Sequence, residues 1–287
     1  MNTLAIDIGG TKFAMAVFEG DRMVRREARG TDRQGGKDWM LEQIVGIAKG
    51  WQKELKLHRC GIGFGGPVDF ARQVIQLSTH VAGWSNFPLP QFIRGELGIP
   101  AIADNDGFVG ALGEYVYGAN RGVDPSFFMT ISTGIGGGFV AGGKVLRGAD
   151  SYANQIGHTP IRPDGEVCLC GARGCLERYC GEMWLEKQFG KPARELLEDP
   201  GFVREYVKDL AQGIKILIFL FNPGRIAIGG GVSKAGDRLF VPLRERVREI
   251  VTDWSKARID IVPTGLGDDN ILWGANALAR HWSVGGV

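Results

Sequence analysis

Apolar and polar positions alternate from the fourth residue onward. The stretch "LAIDIGGTKFAMAVFEGDRMV", residues 4 to 24, reads as an apolar strand, a Gly-rich polar turn, a second strand, a short turn and a third strand. Residues 128 to 146, "FMTISTGIGGGFVAGGKVL", repeat that plan, so the chain looks internally duplicated. Between the repeats the period lengthens. In "DWMLEQIVGIAKGWQKEL", residues 38 to 55, Leu41, Ile44, Val45, Ala48 and Leu55 fall at helical spacing, and "CGIGFGG" then returns to a strand. The second half predicts a helix over residues 202 to 221, a strand at "RIAIGGG" and a helix over residues 236 to 251. This alternation predicts the α/β class. Helical periodicity lapses in "YVYGANRGVDPS", which marks a boundary near residues 114 to 126. The expected plan is two α/β lobes with a central cleft, residues 1–115 and 116–267.

Charge and composition narrow the function. A formal net charge of +2 over 287 residues, with acids and bases interspersed, leaves no basic stripe for nucleic acid. The first residues carry no signal peptide, and no apolar run approaches the roughly 20 residues of a membrane span. A cytoplasmic protein without nucleic-acid or membrane partners is expected. The 45 glycines gather at strand ends. In "DIGGTK", Asp7 ends a strand, Gly9 and Gly10 let backbone approach a ligand, and Thr11 and Lys12 add a hydroxyl and a cation. Such turns form concavities of N–H groups that suit phosphate, although a plain hairpin turn uses the same residues. "STGIGGG" adds Ser132 and Thr133, and "IGGGVS" places three glycines ahead of a helix. Residues 138 to 144 spell G-x-x-x-x-G-K, but Val145 stands where a P-loop needs Ser or Thr, and the stretch lies between strands.

Two clusters carry candidate chemistry. Asp104, Asn105 and Asp106 in "DNDGFVGALGE" precede a helix of small residues, where they serve either as caps or as proton acceptors. Cys168, Cys170 and Cys175 form C-x-C-x₄-C, with His158 ten residues upstream. Three thiolates and one imidazole complete a tetrahedral set with no position for water, which describes a structural zinc site; the alternative is three reduced thiols and a buried histidine. Cys60 and Cys180 lie outside this pattern as ordinary core residues.

The ordered set "DIGGTK", "GIGFGGPVD", "GWSNFPL", "DNDGFVGALGE", "STGIGGG", "GHTPI…CLCGARGCLE", "IGGGVS" and "GDDNILWGANALA" runs end to end. In this the chain closely resembles the ROK family of sugar kinases, within the actin-like and hexokinase-like ATPases. The resemblance implies a duplicated actin-like (ribonuclease H-like) fold whose last helix, in residues 268–287, packs back on the first lobe. It implies ATP, magnesium and a hexose, a structural zinc in segment 158–177, and a homodimer. By the same resemblance Asp106 is the general base for the sugar hydroxyl, Asn105 grips a neighbouring hydroxyl and Asp104 is a structural partner or cap. Gly66, His80, Gln155, His158 and Glu177 contact sugar, and Asp7 helps hold the magnesium. Gly9, Gly10, Thr11, Lys12, Thr133 and Gly134 take the phosphates; Gly229, Gly230 and Gly231 take the nucleoside.

Two positions depart from the family's usual pattern: Gln155 stands where Glu is usual in E-x-G-H, and His80 where Asn is usual before G-W. Either they alter specificity or they are neutral. The expected reaction is phosphorylation of the 6-hydroxyl of glucose or a related hexose, with an N-acetylhexosamine such as N-acetylmannosamine or N-acetylglucosamine as the alternative acceptor. A catalytically silent sugar-binding regulator is the reading from another class. A repressor is disfavoured because the first strand begins at Leu4, and an actin-like ATPase because of the cysteine cluster and the sugar-loop residues.

Overall fold

A computed structural model describes residues 1–78, 81–252 and 260–281. The chain divides into two compact units: Met1–Val116 with Arg147–Tyr152 and the chain from Asp269, and Tyr117–Leu146 with Ala153–Asp268. Among the described residues no helix is long and apolar enough to cross a membrane.

The first unit is built on β1 (Asn2–Ile8), β2 (Lys12–Glu19) and β3 (Arg22–Gly30), an antiparallel meander. After α1 (Gly36–Gln52), β4 (Leu57–Phe64) lies parallel to β1. A small hairpin of β5 (Val68–Asp69) and β6 (Val74–Ile75) and the helix α2 (Leu89–Leu97) precede β7 (Ala101–Asn105), which is parallel to β4. The sheet order is β3-β2-β1-β4-β7. The alternation of side chains along a strand sorts the core into two faces. Leu4, Ile6 and Ile8 of β1 join the helical stripe Met40, Ile44 and Ala48 of α1. Ala5, Ala14 and Ala16 line the opposite face, where they meet Val109 of α3 (Asp106–Val116) and Ala275 and Leu278. Small residues on that face let helices approach closely.

The second unit repeats the plan. β8 (Ser126–Ile131), β9 (Ile135–Ala141) and β10 (Lys144–Val145) form the antiparallel meander. After α4 (Leu176–Cys180), α5 (Glu182–Phe189), α6 (Ala193–Leu196) and α7 (Pro200–Phe221) comes β11 (Arg225–Gly229), parallel to β8. Then α8 (Asp237–Ile250) leads to β12 (Asp260–Pro263), parallel to β11. The order β10-β9-β8-β11-β12 matches the first sheet strand for strand, so the duplication read from the chain is one of topology as well. The long α7 starts on a local signal: the Asp199 side chain accepts from Gly201 N at 2.8 Å, Pro200 fills the first turn, and Asn222 ends the helix in the left-handed region at φ 42°.

The chain closes with α9 (Asn270–His281), which packs on α3, β1 and β4 within the first unit. A side chain at Gly274 would collide with the Val109 carbonyl, so glycine sets the spacing of this helix pair. Several boundaries differ from the periodicity by a few residues. α1 stops at Gln52 because the N–H groups of both Glu54 and Leu55 turn onto Trp51 O, which leaves Leu55 past the helix. The third strand of the first repeat extends to Gly30. The last helix begins at Asn270, two residues later than expected, because Gly267–Asp269 form a 3₁₀ turn. Its expected continuation over residues 282–287 lies outside the described residues.

Candidate functional site

Three parallel strands of the first unit end level with one another. The register pairs Asp7 with Gly63 and Gly63 with Asp104, so Gly9, Gly65 and Asp106 follow just beyond adjacent carboxyl ends. Carboxyl ends of parallel strands are where α/β sheets hold ligands. The Gly9–Gly10 turn is closed by Gly9 N donating to Lys12 O at 3.0 Å. Thr31 Oγ1 donates to Gly9 O at 3.2 Å and Arg33 Nε to Gly10 O at 3.1 Å, leaving the exposed Thr11 and Lys12 on the outer side. A Cβ placed at Gly65 would sit 3.5 Å from both Asp106 Oδ2 and Gly9 Cα, so the strand ends converge there. Gly65 N also donates to Ile8 O at 2.8 Å.

Asp106 opens α3. Gly107 N donates to Asp106 Oδ1 at 2.8 Å and to Asn105 Oδ1 at 3.0 Å, while Asn105 Nδ2 donates to Gly66 O at 3.0 Å. The cluster therefore caps the helix with one oxygen of each side chain, and Asp106 Oδ2 stays on the Gly65 side. Asp104 is different: it is 1% exposed, ion-paired to Arg147 at 2.8 Å, and accepts from Asn105 N at 2.9 Å. That places it as a structural partner.

Burial dominates the electrostatics. It pushes the Asp106 carboxyl up to about 6, against the hydrogen bonds from Gly107 and Asn105. Burial and then the neighbouring Asp106 push Asp7 up to about 7; Lys12 and Arg26 oppose this, while Asp269, held by Arg26 at 2.8 Å, adds to it. Two desolvated carboxyls side by side are short of positive charge, which is the donor set a divalent cation fits.

In the second unit the β8–β9 turn carries Thr133 and Gly134. Glu177 Oε2 accepts from Ile135 N at 2.8 Å, and a side chain at Gly134 would run into that carboxylate. The backbone of this turn is held from behind by Glu182 N donating to Ser132 O at 2.8 Å and Met183 N to Thr133 O at 3.2 Å. At the end of β11, Gly229 is buried in the strand. Gly230 turns the chain at φ +85°, where any side chain would strike Ile131 O, and Ser233 Oγ closes the turn on Gly230 O at 2.7 Å. Gly231 lies against the Glu182 carboxylate.

Just before Glu177 the four candidate metal ligands come together: one donor atom each from His158, Cys168, Cys170 and Cys175, all within 4.8 Å of one another. Cys168 Sγ is 3.7 Å from His158 Nδ1, and Cys170 Sγ is 3.7 Å from Cys175 Sγ. Tetrahedral zinc with bonds of about 2.3 Å to sulfur gives edges of about 3.8 Å, so the donors fit. Burial and the facing thiols push the Cys175 thiol up, a cost that a bound cation removes.

The structure thus gathers Asp7, Gly9, Gly10, Gly66, Asn105 and Asp106 in one unit, and Thr133, Gly134, Glu177 and the Cys/His quartet in the other. Gln155 is exposed at the start of the 3₁₀ turn that carries His158, and His80 lies outside the described residues. Sequence reading missed Arg147, Asp269, Glu182 and the Ile135 N–H; none has a local signal, since each meets a partner at least 42 residues away in the chain.

Comparison with known proteins identifies the family and the fold. The model of the ROK family matches residues 3–281. Glucokinase of Thermotoga maritima is 30% identical over 315 aligned positions, covering 100% of this chain and 99% of that protein. The crystal structure of a ROK family glucokinase from Streptomyces griseus in complex with glucose and AMPPNP is 28% identical; it superposes with a TM-score of 0.86 over 98% of this chain and 100% of that one. N-acetylmannosamine kinase of Escherichia fergusonii is 36% identical over 182 positions, 62% of this chain and 60% of that protein.

Proposed function

The chain belongs to the ROK family, and from that premise we propose that it transfers the γ-phosphoryl group of ATP to a hexose hydroxyl, with Asp106 as the general base. The observation that carries the reading is the Asp106 carboxyl at the convergence of three strand ends, next to the Gly9–Gly10 turn, within a chain similar over its whole length to glucokinases. Gly107 N fixes one carboxyl oxygen, and Oδ2 takes the hydroxyl proton as the sugar oxygen bonds phosphorus and the bond to ADP breaks. A carboxyl pushed up to about 6 is mostly ionised at neutral pH yet basic enough to accept that proton.

The neighbouring groups position the reactants. The second N–H of the Asn105 amide remains for a sugar hydroxyl once the first holds Gly66 O. Glu177 is steadied through Oε2, so Oε1 accepts from another hydroxyl, with His158, Gln155, His80 and Gly66 completing the sugar contacts. The Gly9–Lys12 turn with Thr133 and Gly134 receives phosphates, and Gly230 and Gly231, with Gly229 behind them, receive the nucleoside. Magnesium, bound with ATP beside Asp7, supplies positive charge to the phosphates during transfer. Zinc in the Cys₃His set holds segment 158–177 rigid and so fixes Glu177, which follows Cys175 by two residues.

The 6-hydroxyl of glucose is the first acceptor to test. A second reading, an N-acetylhexosamine kinase, is favoured by the amide of Gln155 and by the similarity to an N-acetylmannosamine kinase. A coupled ADP-release assay over glucose, mannose, N-acetylglucosamine and N-acetylmannosamine tests both. Turnover of one sugar, lost about 10²–10⁴-fold in Asp106→Asn with little change in sugar affinity, supports the proposal. Sugar binding with no ADP release from any of them would leave a silent binding protein instead.

A further inference from the structure

Asp104, Asn105 and Asp106 stand at the end of β7, which is an outer strand of its sheet. Among the described residues no further strand holds that edge, and two side chains take over. Gln73, itself left-handed at φ 56°, spends its amide on Ala103: its Oε1 accepts from Ala103 N at 2.8 Å and its Nε2 donates to Ala103 O at 3.2 Å. Arg147 engages the next residue. Its Nε donates to Asp104 Oδ2 at 2.8 Å, and its guanidinium lies 3.7 Å above the ring of Phe70. The segment carrying Arg147 is fastened again by Phe70 N donating to Ser151 Oγ at 3.2 Å. Asp104, with its own Oδ1, accepts from the peptide N–H of Asn105 at 2.9 Å.

We propose that Arg147 is a positioning residue for the phosphoryl transfer: by pairing with the buried Asp104 carboxylate it fixes the Asn105 peptide, and with it the Asn105 amide and the Asp106 carboxyl. The argument rests on the reading of Asp106 as the base. A carboxylate 1% exposed has lost its water, and the Arg147 guanidinium and the Asn105 N–H stand in for it. Without Arg147 the buried carboxylate loses its partner and swings toward water. That swing releases the Asn105 peptide while leaving the Gly9–Lys12 turn untouched, so the damage falls on the sugar side of the reaction. Arg serves better than Lys because one planar group donates to Asp104 and stacks on Phe70 together.

The test compares wild type with Arg147→Met, Arg147→Lys, Asp104→Asn and the double variant Asp104→Asn/Arg147→Met. Circular dichroism and thermal melting check the fold, calorimetry gives the Kd for glucose without ATP, and ADP release gives kcat and the KM for ATP. Arg147→Met should lower kcat at least ten-fold and raise the glucose Kd several-fold, with the KM for ATP within two-fold. Lys should restore most of the loss, and the double variant should be no worse than Arg147→Met, since the two residues act as one unit. A folded Arg147→Met protein with kcat and glucose Kd within two-fold of wild type overturns the proposal, as do losses that multiply in the double variant. If Arg147→Met does not fold, the double variant, which leaves no buried unpaired charge, and Arg147→Lys decide it by the same measurements. If wild type binds glucose without turnover, the kinase reading falls, and the Kd comparison still decides the role of Arg147.

Discussion

Replacing Asp7 by Asn should stabilise the ligand-free protein at pH 8 while abolishing turnover. Burial and then Asp106 carry this carboxyl from its ordinary value of 3.8 to about 7, so the folded chain keeps a proton that the unfolded chain has released. The resulting stability is fully present below pH 3.8 and is lost as pH rises through about 7. About three powers of ten in proton affinity, at about 1.4 kcal/mol each, put the cost of the charged form near 4 kcal/mol. Water reaching the partly exposed Asp7 reduces this to roughly 2–4 kcal/mol. Asn removes the charge at nearly constant volume, so the melting temperature at pH 8 should rise by about 5–10 °C. At pH 5 the folded carboxyl already carries its proton while the unfolded one has mostly released it, so the gain should fall to less than half of that at pH 8. Differential scanning calorimetry of both proteins at the two pH values, without nucleotide or sugar, reads the effect directly. An equal gain at both pH values, or a loss at pH 8, would refute the reasoning, because the charge would then not be the source of strain. Mg-ATP should also stabilise wild type more than the variant, since bound cation relieves a charge the variant lacks.

Elemental analysis of the purified protein should find about one zinc per chain; Cys170→Ser should lower that content and the melting temperature, and zinc-free protein of unchanged stability would leave the thiols as packing residues. Gly274→Ala drives a methyl into the Val109 carbonyl, and overpacking of about 1–3 kcal/mol should outweigh the helix-propensity gain, which urea denaturation reads as a lower midpoint. Gln155→Glu with His80→Asn should shift the ratio of kcat/KM for glucose to that for the best substrate by several-fold, because a carboxylate accepts from two hydroxyls where an amide offers its donor half to one. An unchanged ratio would mean that these two positions do not read the sugar.

Local features of the chain determined a large part of this protein. The period of apolar residues placed the strands of both meanders and the helices α1, α7 and α8, because alternation and 3.6-residue spacing are set by backbone geometry alone. The spacing of Cys168, Cys170 and Cys175 brought three donors to one place for a similar reason: a short loop has few ways to keep them apart. Periodicity says which face of an element is buried, but not what it is buried against. Arg147 meets Asp104 across 43 residues, Glu177 meets Ile135 across 42 and Arg26 meets Asp269 across 243, and no spacing rule encodes those pairings. The order of strands in each sheet decided them. By setting β1, β4 and β7 side by side, it also desolvated Asp7 and Asp106 together, and that shared burial, absent from any local stretch of sequence, gives both carboxyls their raised proton affinity.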